Sequence, residues 1–223
     1  MSEATPFHLD ILPMAQRRLW NELGQVPPEF VLYGGTAIAL QLGHRQSIDF
    51  DFFSNQPLSS SILDLALPFL ENATITQRAP DTLSCTVIRG EAIKLSFFGV
   101  PKLPRLLLPS FAVDTGLAIA SLLDLAGTKA SVVQMRAEAK DYIDIDALLT
   151  DGRIDMSMAL ASASVLYGQQ FNPQITLKAL TYFEEEPLRT LSDDLKQRLL
   201  QAVRGVDLDH LPVLGEPLYR ATS

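Results

Sequence analysis

Cysteine is almost absent: Cys85 is the only one in 223 residues. A single thiol excludes an intramolecular disulfide framework and fits a reducing cytoplasm. Cys85 stands between Ser84 and Thr86 in a strand-like run, which makes it a packing residue and not a nucleophile. No stretch reaches the roughly 18 continuous apolar residues of a membrane span. Met1–Pro6 is neither basic nor followed by a signal-like apolar core. The expectation is a cytoplasmic protein that does not engage membranes. Positive charge is scarce too, with 18 Lys and Arg against 26 Asp and Glu and a net charge of −8. That excludes a bulk electrostatic binder of nucleic acid, so an RNA substrate would need a local basic patch. A small nucleotide-like substrate or a basic partner protein also suits the acidity. There is no internal repeat and no low-complexity segment.

What is present is an ordinary globular composition, 47% hydrophobic and 20% charged. It is enough for a core in one domain, or in one domain with a helical appendage. The stretch Phe30–Phe53 organises the chain. Phe30–Tyr33 reads as an apolar strand and Gly34-Gly35-Thr36 as a turn. Thr36–Leu42 is a short helix, apolar nearly all round, and Gly43 stops it. His44 and Arg45 fill the next turn, and a strand with Asp49 and Asp51 follows. Alternation puts these two acids on one face and Ile48, Phe50 and Phe52 on the other, toward a core. Two like charges side by side call for a compensating partner. Mg²⁺ (or Mn²⁺) suits, since Mg²⁺ takes one or two carboxylates plus substrate phosphates. Gly34 and Gly35 let the backbone approach a ligand, and the helix after them would aim free N–H groups at an anion. The turn is not a Walker loop: no Gly-Lys-Ser/Thr follows, and the spacing is not G-x-G-x-x-G. Arg45 suits either a triphosphate or an ion pair with a neighbouring acid. His44 reads as structural.

Before this block, Pro13–Leu23 reads as a helix stopped by Gly24, with Arg17 and Arg18 on a solvated face. After it, Ser59 or Ser60 caps a packing helix to about Leu70. Strands follow at Thr74–Arg78, Leu83–Ile88 and Ala92–Phe98, the last two joined as a hairpin at Gly90. Phe111–Asp114 reads as an edge strand. Ser121-Leu-Leu-Asp124 opens a helix that carries Lys129 and runs to about Arg136. Beyond it, Tyr142, Ile145, Leu148 and Leu149 form an apolar stripe, with Lys140, Asp141 and Asp144 on the opposite side. On spacing alone that side is solvated, with Lys140 and Asp144 paired at i, i+4. Helices at Met156–Tyr167, Ile175–Phe183 and Asp193–Val203 follow, capped by Asp155, Asn172 or Thr176, and Ser192. Glu184–Glu186 reads as a solvated acidic loop, and the tail after His210 as a surface strap.

The first block resembles the nucleotidyltransferase superfamily with the DNA polymerase β-like fold. More closely it resembles the AbiEii/AbiGii toxin family, the toxin half of type IV toxin–antitoxin pairs. Tyr33-Gly34-Gly35-Thr36-Ala37 with Leu40, then His44-Arg45, then Asp49-Phe50-Asp51-Phe52-Phe53 carry the likeness. Lys129, Arg136, Lys140-Asp141 and Asp144 match the family's second block in order, with Lys140 where the family often has Arg. The resemblance covers roughly residues 28–150. It implies a metal on Asp49 and Asp51, and nucleotide phosphates held by Gly34, Gly35, Thr36, Arg45 and Lys129. It implies Asp141 completing the active site and Asp144 orienting Lys140 or Arg136. It also implies a third carboxylate on a later strand. Here Lys94, Ser96 and Phe98 share that face, and Ser96 stands where the acid would. Another acid supplies the role, or one metal suffices, or the nucleotide is bound without turnover.

The fold implied is α+β: a polymerase β-like mixed sheet with flanking helices over 1–118, then a helical C-terminal subdomain over 119–223. A cleft between the two would take the substrate. The function implied is metal-dependent transfer of a nucleoside monophosphate from a nucleoside triphosphate to an acceptor hydroxyl. The family suggests a tRNA end as acceptor and a cognate antitoxin as partner. Two alternatives stand beside it. One is a catalytically inactive nucleotide-binding or interaction module on the same fold. The other is an enzyme that adenylates a small molecule or a protein.

Overall fold

A computed structural model describes residues 7–58, 62, 67–101 and 103–218. The fold is α+β, with a seven-stranded mixed sheet and, among the described residues, eight α-helices. None of these helices is long and apolar enough to cross a membrane. The chain divides into two compact units. Among the described residues, one comprises those up to Leu103 and Pro109–Ala120, the other Pro104–Leu108 and those from Ser121 on. The division thus falls after Ala120, where the sequence suggests 118, and a short segment before it goes with the second unit.

The first unit is built on the sheet. Its strands are β1 (Phe30–Tyr33), β2 (Phe50–Ser54), β3 (Thr74–Ala79), β4 (Thr82–Ile88), β5 (Ala92–Gly99), β6 (Ser110–Phe111) and β7 (Ala118–Ile119). Their order is β3-β4-β5-β2-β1-β7-β6. β2 sits centrally, antiparallel to β1 and parallel to β5. Alternation splits its side chains between two faces. Phe50 and Phe52 are fully buried with Phe97, and the Phe52 and Phe97 rings stack at 5.1 Å. Each such side chain contributes about 1.5–3 kcal/mol on burial. Asp51 and Phe53 lie on the opposite, half-buried face.

β1 runs directly into α2 (Gly34–Leu42), which starts two residues earlier than the sequence predicts. Gly34 makes the bend at a φ of +72°, a conformation glycine alone adopts readily. Gly43, at φ +65°, closes the helix by returning its N–H to the Ala39 carbonyl.

Elsewhere in this unit the chain departs from expectation for local reasons. The first helix, α1 (Met14–Trp20), gives way to a 3-10 turn at Leu23–Gln25. β2 begins only at Phe50, so Ile48 is 56% exposed and not in the core. The turn before β2 is held through its backbone instead, with Gln16 Nε2 donating to the Ile48 carbonyl at 3.2 Å. Ser110–Phe111 pairs with Ala118–Ile119 in place of a strand at Phe111–Asp114, around a turn closed by the Gly116 N–H on the Ala112 carbonyl at 2.7 Å. The helix predicted from Ser59 or Ser60 lies mostly outside the described residues, and Pro68–Leu70 forms a 3-10 turn.

The second unit holds α3 (Leu122–Val132), α4 (Ala139–Thr150), α5 (Met156–Tyr167), α6 (Pro173–Ala179), α7 (Glu186–Arg189) and α8 (Asp193–Arg204). The caps Ser121, Asp155, Asn172 and Ser192 each accept a backbone N–H of the first turn. Each contributes about 1 kcal/mol. Tyr142, Leu160, Leu180, Leu188 and Leu199 form the core. Gly127 lets α3 come close to α5, since a Cβ there would meet Ser162 Oγ and stand 2.9 Å from the Ala163 nitrogen. α3 ends at Val132, short of the predicted Arg136, and Met135 is 85% exposed. Glu186 opens α7 with Pro187 in its first turn, so the acidic triplet is not wholly loop.

Candidate active site

β1 and β2 are antiparallel, with Tyr33 opposite Asp51. The bend after Tyr33 therefore lies beside the Asp51 side chain. A Cβ on Gly34 would stand 3.1 Å from Asp51 Oδ2. Glycine is what lets this carboxylate and the start of α2 approach so closely. No side chain caps α2 at Tyr33, so its first-turn N–H groups are left to other acceptors.

The Thr36 hydroxyl has an internal duty. Thr36 is buried, and its Oγ1 shares hydrogen bonds with the Asp49 carbonyl and, at 2.8 Å, with Ser47 Oγ. It fastens α2 to the backbone that carries Asp49. Asp49 itself precedes β2, so this turn, and not strand alternation, sets its position. Both Asp49 and Asp51 are half-buried. Arg45 Nη1 donates to the Gln46 carbonyl at 2.8 Å.

Ser96 of β5 is the register partner of Asp51. Ser84 of β4 is the register partner of Ser96, and the two hydroxyls are 3.3 Å apart. Both serines are buried. The row across the sheet is thus a carboxylate followed by two hydroxyls. Among the described residues no three His, Cys, Asp or Glu side chains gather as metal ligands. A divalent cation in this unit would have the two hard carboxylates Asp49 and Asp51 as its donors. That set fits Mg²⁺, which fills its remaining positions with water and substrate phosphate.

The second block forms a cluster within the helical unit. Lys129 Nζ lies 2.6 Å from Asp141 Oδ1 and 2.6 Å from Asp144 Oδ2. Arg136 Nε donates to Asp141 Oδ2 at 2.8 Å. Lys129 is 6% exposed and both aspartates are 0% exposed. The face that spacing alone reads as solvated is therefore buried at its two acids. Lys140 does not take Asp144 as its i, i+4 partner; it pairs with Glu138 at 2.9 Å, and Asp144 is on Lys129. Burial pushes the Asp141 carboxyl up, but the Arg136 hydrogen bond and the Lys129 charge outweigh it and leave it below the usual carboxylate value. Burying each ion costs several kcal/mol, and the cluster is tolerated because its charges pair with one another.

The sequence profile of the family "Nucleotidyl transferase AbiEii toxin, Type IV TA system" matches residues 18–213. The chain belongs to this family. An uncharacterized protein of Aquifex aeolicus (strain VF5) is 31% identical over 159 residues, which is 70% of this chain and 75% of that protein. MenT4, a nucleotidyltransferase toxin from Mycobacterium tuberculosis H37Rv, superposes with a TM-score of 0.59 at 17% identity, covering 87% of this chain and 83% of its own. A crystal structure described as that of a candidate nucleotidyltransferase from H. pylori gives 0.53 at 17% identity, over 85% of this chain and 90% of that one. These two likenesses show the nucleotidyltransferase fold. The AbiEii match spans both blocks, Gly34 to Asp51 and Lys129 to Asp144. It also spans Ser96.

Two further buried acids of this AbiEii-family protein carry little or no sequence signal. Asp124 accepts the Leu106 N–H at 2.8 Å, the Leu107 N–H at 3.3 Å and the Ser121 hydroxyl. It binds the 104–108 segment to α3, which is why that segment goes with the helical unit. Burial raises its pKa, against the pull of those hydrogen bonds. Ser121-Leu-Leu-Asp124 shows Asp124 only as part of a cap. Asp146 receives Arg198 bidentately at 2.8 and 2.7 Å, joining α4 to α8 across 52 residues of sequence. That separation leaves no local pattern to read.

Proposed function

We propose that the protein is a metal-dependent nucleotidyltransferase. It moves a nucleoside monophosphate from a nucleoside triphosphate to an acceptor hydroxyl, with a tRNA end as acceptor and a cognate antitoxin opposing it in the cell. The observation that carries this reading is the closeness of Gly34 and Asp51, with Asp51 Oδ2 3.1 Å from where a Gly34 Cβ would stand. In a chain of this family, that closeness brings a glycine bend, an uncapped helix start and a carboxylate into one corner of the sheet unit.

In this reading Asp49 and Asp51 would hold Mg²⁺ or Mn²⁺, whose charge would offset that of the phosphates. The N–H groups of Gly34 and Gly35 donate to phosphate oxygens, as the start of a helix favours. Thr36 keeps the Asp49 backbone in place. Arg45 adds paired hydrogen bonds to a phosphate. The acceptor oxygen bonds to the α-phosphorus as the bond to pyrophosphate breaks, and the hydroxyl proton leaves to a carboxylate of the pair. Lys129 keeps the phosphate role that the family resemblance gives it. Within the helical unit, Asp141 and Asp144 both hold the Lys129 ammonium. Asp141, held by Arg136, fixes that ammonium.

A second reading is a nucleotide-binding module without turnover. Ser96 favours it, a buried hydroxyl beside Asp51 where polymerase β-like enzymes carry an acid. One assay separates the readings. The pure protein is incubated with each α-labelled triphosphate, Mg²⁺ or Mn²⁺, and total tRNA. Label on RNA is the expected result. Label on protein marks an adenylating enzyme, and nucleotide binding without any transfer marks the inactive module.

A further inference from the structure

We propose that Lys94 binds the triphosphate tail of the nucleotide and is a cation of the Asp49–Asp51 site. The proposal rests on reading that site as a nucleotide site. Register places the residue. β5 runs parallel to β2, with Leu95 beside Phe50 and Ser96 beside Asp51. Lys94 is two residues before Ser96, so it shares the sheet face of Ser96 and Asp51. With about 3.3 Å per residue and about 4.8 Å between strands, its Cα lies about 8 Å from that of Asp51, on the side from which Asp49 enters β2. A four-carbon stem spans most of that gap.

Its surroundings leave it available. From Ile93 to the end of β5, Lys94 is the one exposed residue. Its register partner on β4 is the neutral Thr86. Among the described residues Lys94 has no ion-pair or hydrogen-bond partner, and neither does the Asp49 carboxylate. An exposed lysine often guards the edge of a sheet against pairing. β5 is an interior strand between β4 and β2, so that duty does not apply. A divalent cation on two carboxylates is electrically neutral as a set, and a triphosphate brings several further negative charges. A compact ammonium beside that set adds to the charge that Arg45 brings, in the form that suits phosphate oxygens.

The test is Mg²⁺-dependent binding of a non-hydrolysable triphosphate analogue and of the corresponding monophosphate. The proteins are wild type, Lys94→Gln, Lys94→Arg and Asp51→Asn, with melting temperatures measured alongside. Lys94→Gln should weaken triphosphate binding about tenfold, the scale of one charge-assisted hydrogen bond. Its monophosphate affinity should change less than about twofold by the same reasoning, Lys94→Arg should retain binding, and no variant should melt early. Triphosphate binding lost in Asp51→Asn but intact in Lys94→Gln overturns the lysine assignment and leaves the site standing. Binding that survives Asp51→Asn, or is absent in wild type, overturns the site reading and the lysine with it. Equal loss of both ligands in Lys94→Gln, or a melting point that falls with affinity, also overturns the assignment, because Lys94 would then support the structure and not the tail.

Discussion

Asp49 and Asp51 in the sheet unit, and Asp141 and Asp144 in the helical unit, are acid pairs at short spacing under opposite conditions. The first pair is half-buried, beside a glycine bend and an uncapped helix start. Its register neighbour across the sheet is a neutral hydroxyl, Ser96. The second pair is fully buried and closed by Lys129 and Arg136. An acid with solvent access can take up and release a cation. An acid locked to a resident lysine holds two helices together. The packing around a carboxylate, more than its spacing, decides which of these it does.

The largest expected effect comes from removing the cation of the helical pair. Lys129→Met should destabilise the protein by about 3–5 kcal/mol, because Asp141 and Asp144 stay buried without the Lys129 ammonium that neutralises them. Denaturant unfolding reads this directly. A loss below about 1 kcal/mol, with nucleotide binding abolished, would erase the contrast and make Lys129 chiefly a ligand group.

Gly34→Ala comes next. The positive φ costs a Cβ-bearing residue about 1–2 kcal/mol, and the new methyl displaces the Asp51 carboxylate. Gly152 is the control, with a φ of +81° and nothing within 4 Å of a built Cβ. Both variants should lose similar stability, and only Gly34→Ala should lose nucleotide affinity. Equal affinities in the two would separate the bend from the acid.

Acid titration distinguishes buried carboxylates by sign. Asp141 is lowered from an ordinary 3.8, so its stabilisation is complete above that value and is lost as pH falls through the lower folded one. Asp124 is raised from 3.8, so its contribution is complete below that value and is lost as pH rises through the higher folded one. Stability measured by urea unfolding should therefore fall less steeply below about pH 4 in Asp141→Asn than in wild type. Asp124→Asn should lack the gain that wild type shows on acidification toward that pH. The smallest effect is at Lys140, whose pair with Glu138 is half-exposed on both sides. Lys140→Ala should cost less than about 0.5 kcal/mol. A larger loss would tie Lys140 to the buried cluster after all.

The first block is legible in the sequence because everything that shapes it is local. An apolar run, two glycines and alternation specify β1, the bend and β2 within a few residues. The caps Ser121, Asp155, Asn172 and Ser192 are equally local. The place of Asp49 is not, since it depends on Thr36 reaching across 13 residues to its carbonyl. The burial of Asp141 and Asp144 also escapes sequence reading. Helical spacing puts them opposite the apolar stripe, but it does not say that Lys129 of another helix covers that side. α3 looks longer in sequence than it is because Val133 and Met135 extend its apolar pattern. In the fold the chain leaves the helix there, and Arg136 turns to Asp141. Strands of two residues, such as β6 and β7, are too short to show a period at all.

The contrast between the two acid pairs is tested most directly by the melting temperature of wild type and Asp51→Asn, with and without Mg²⁺ and a nucleoside triphosphate. A ligand that binds only the folded state at a hundred times its Kd adds about 2.7 kcal/mol. Wild type should therefore melt higher with the ligand, while Asp51→Asn melts with unliganded wild type and does not respond. An Asp51→Asn protein that melts well below wild type on its own, or that responds to the ligand in full, would contradict the account.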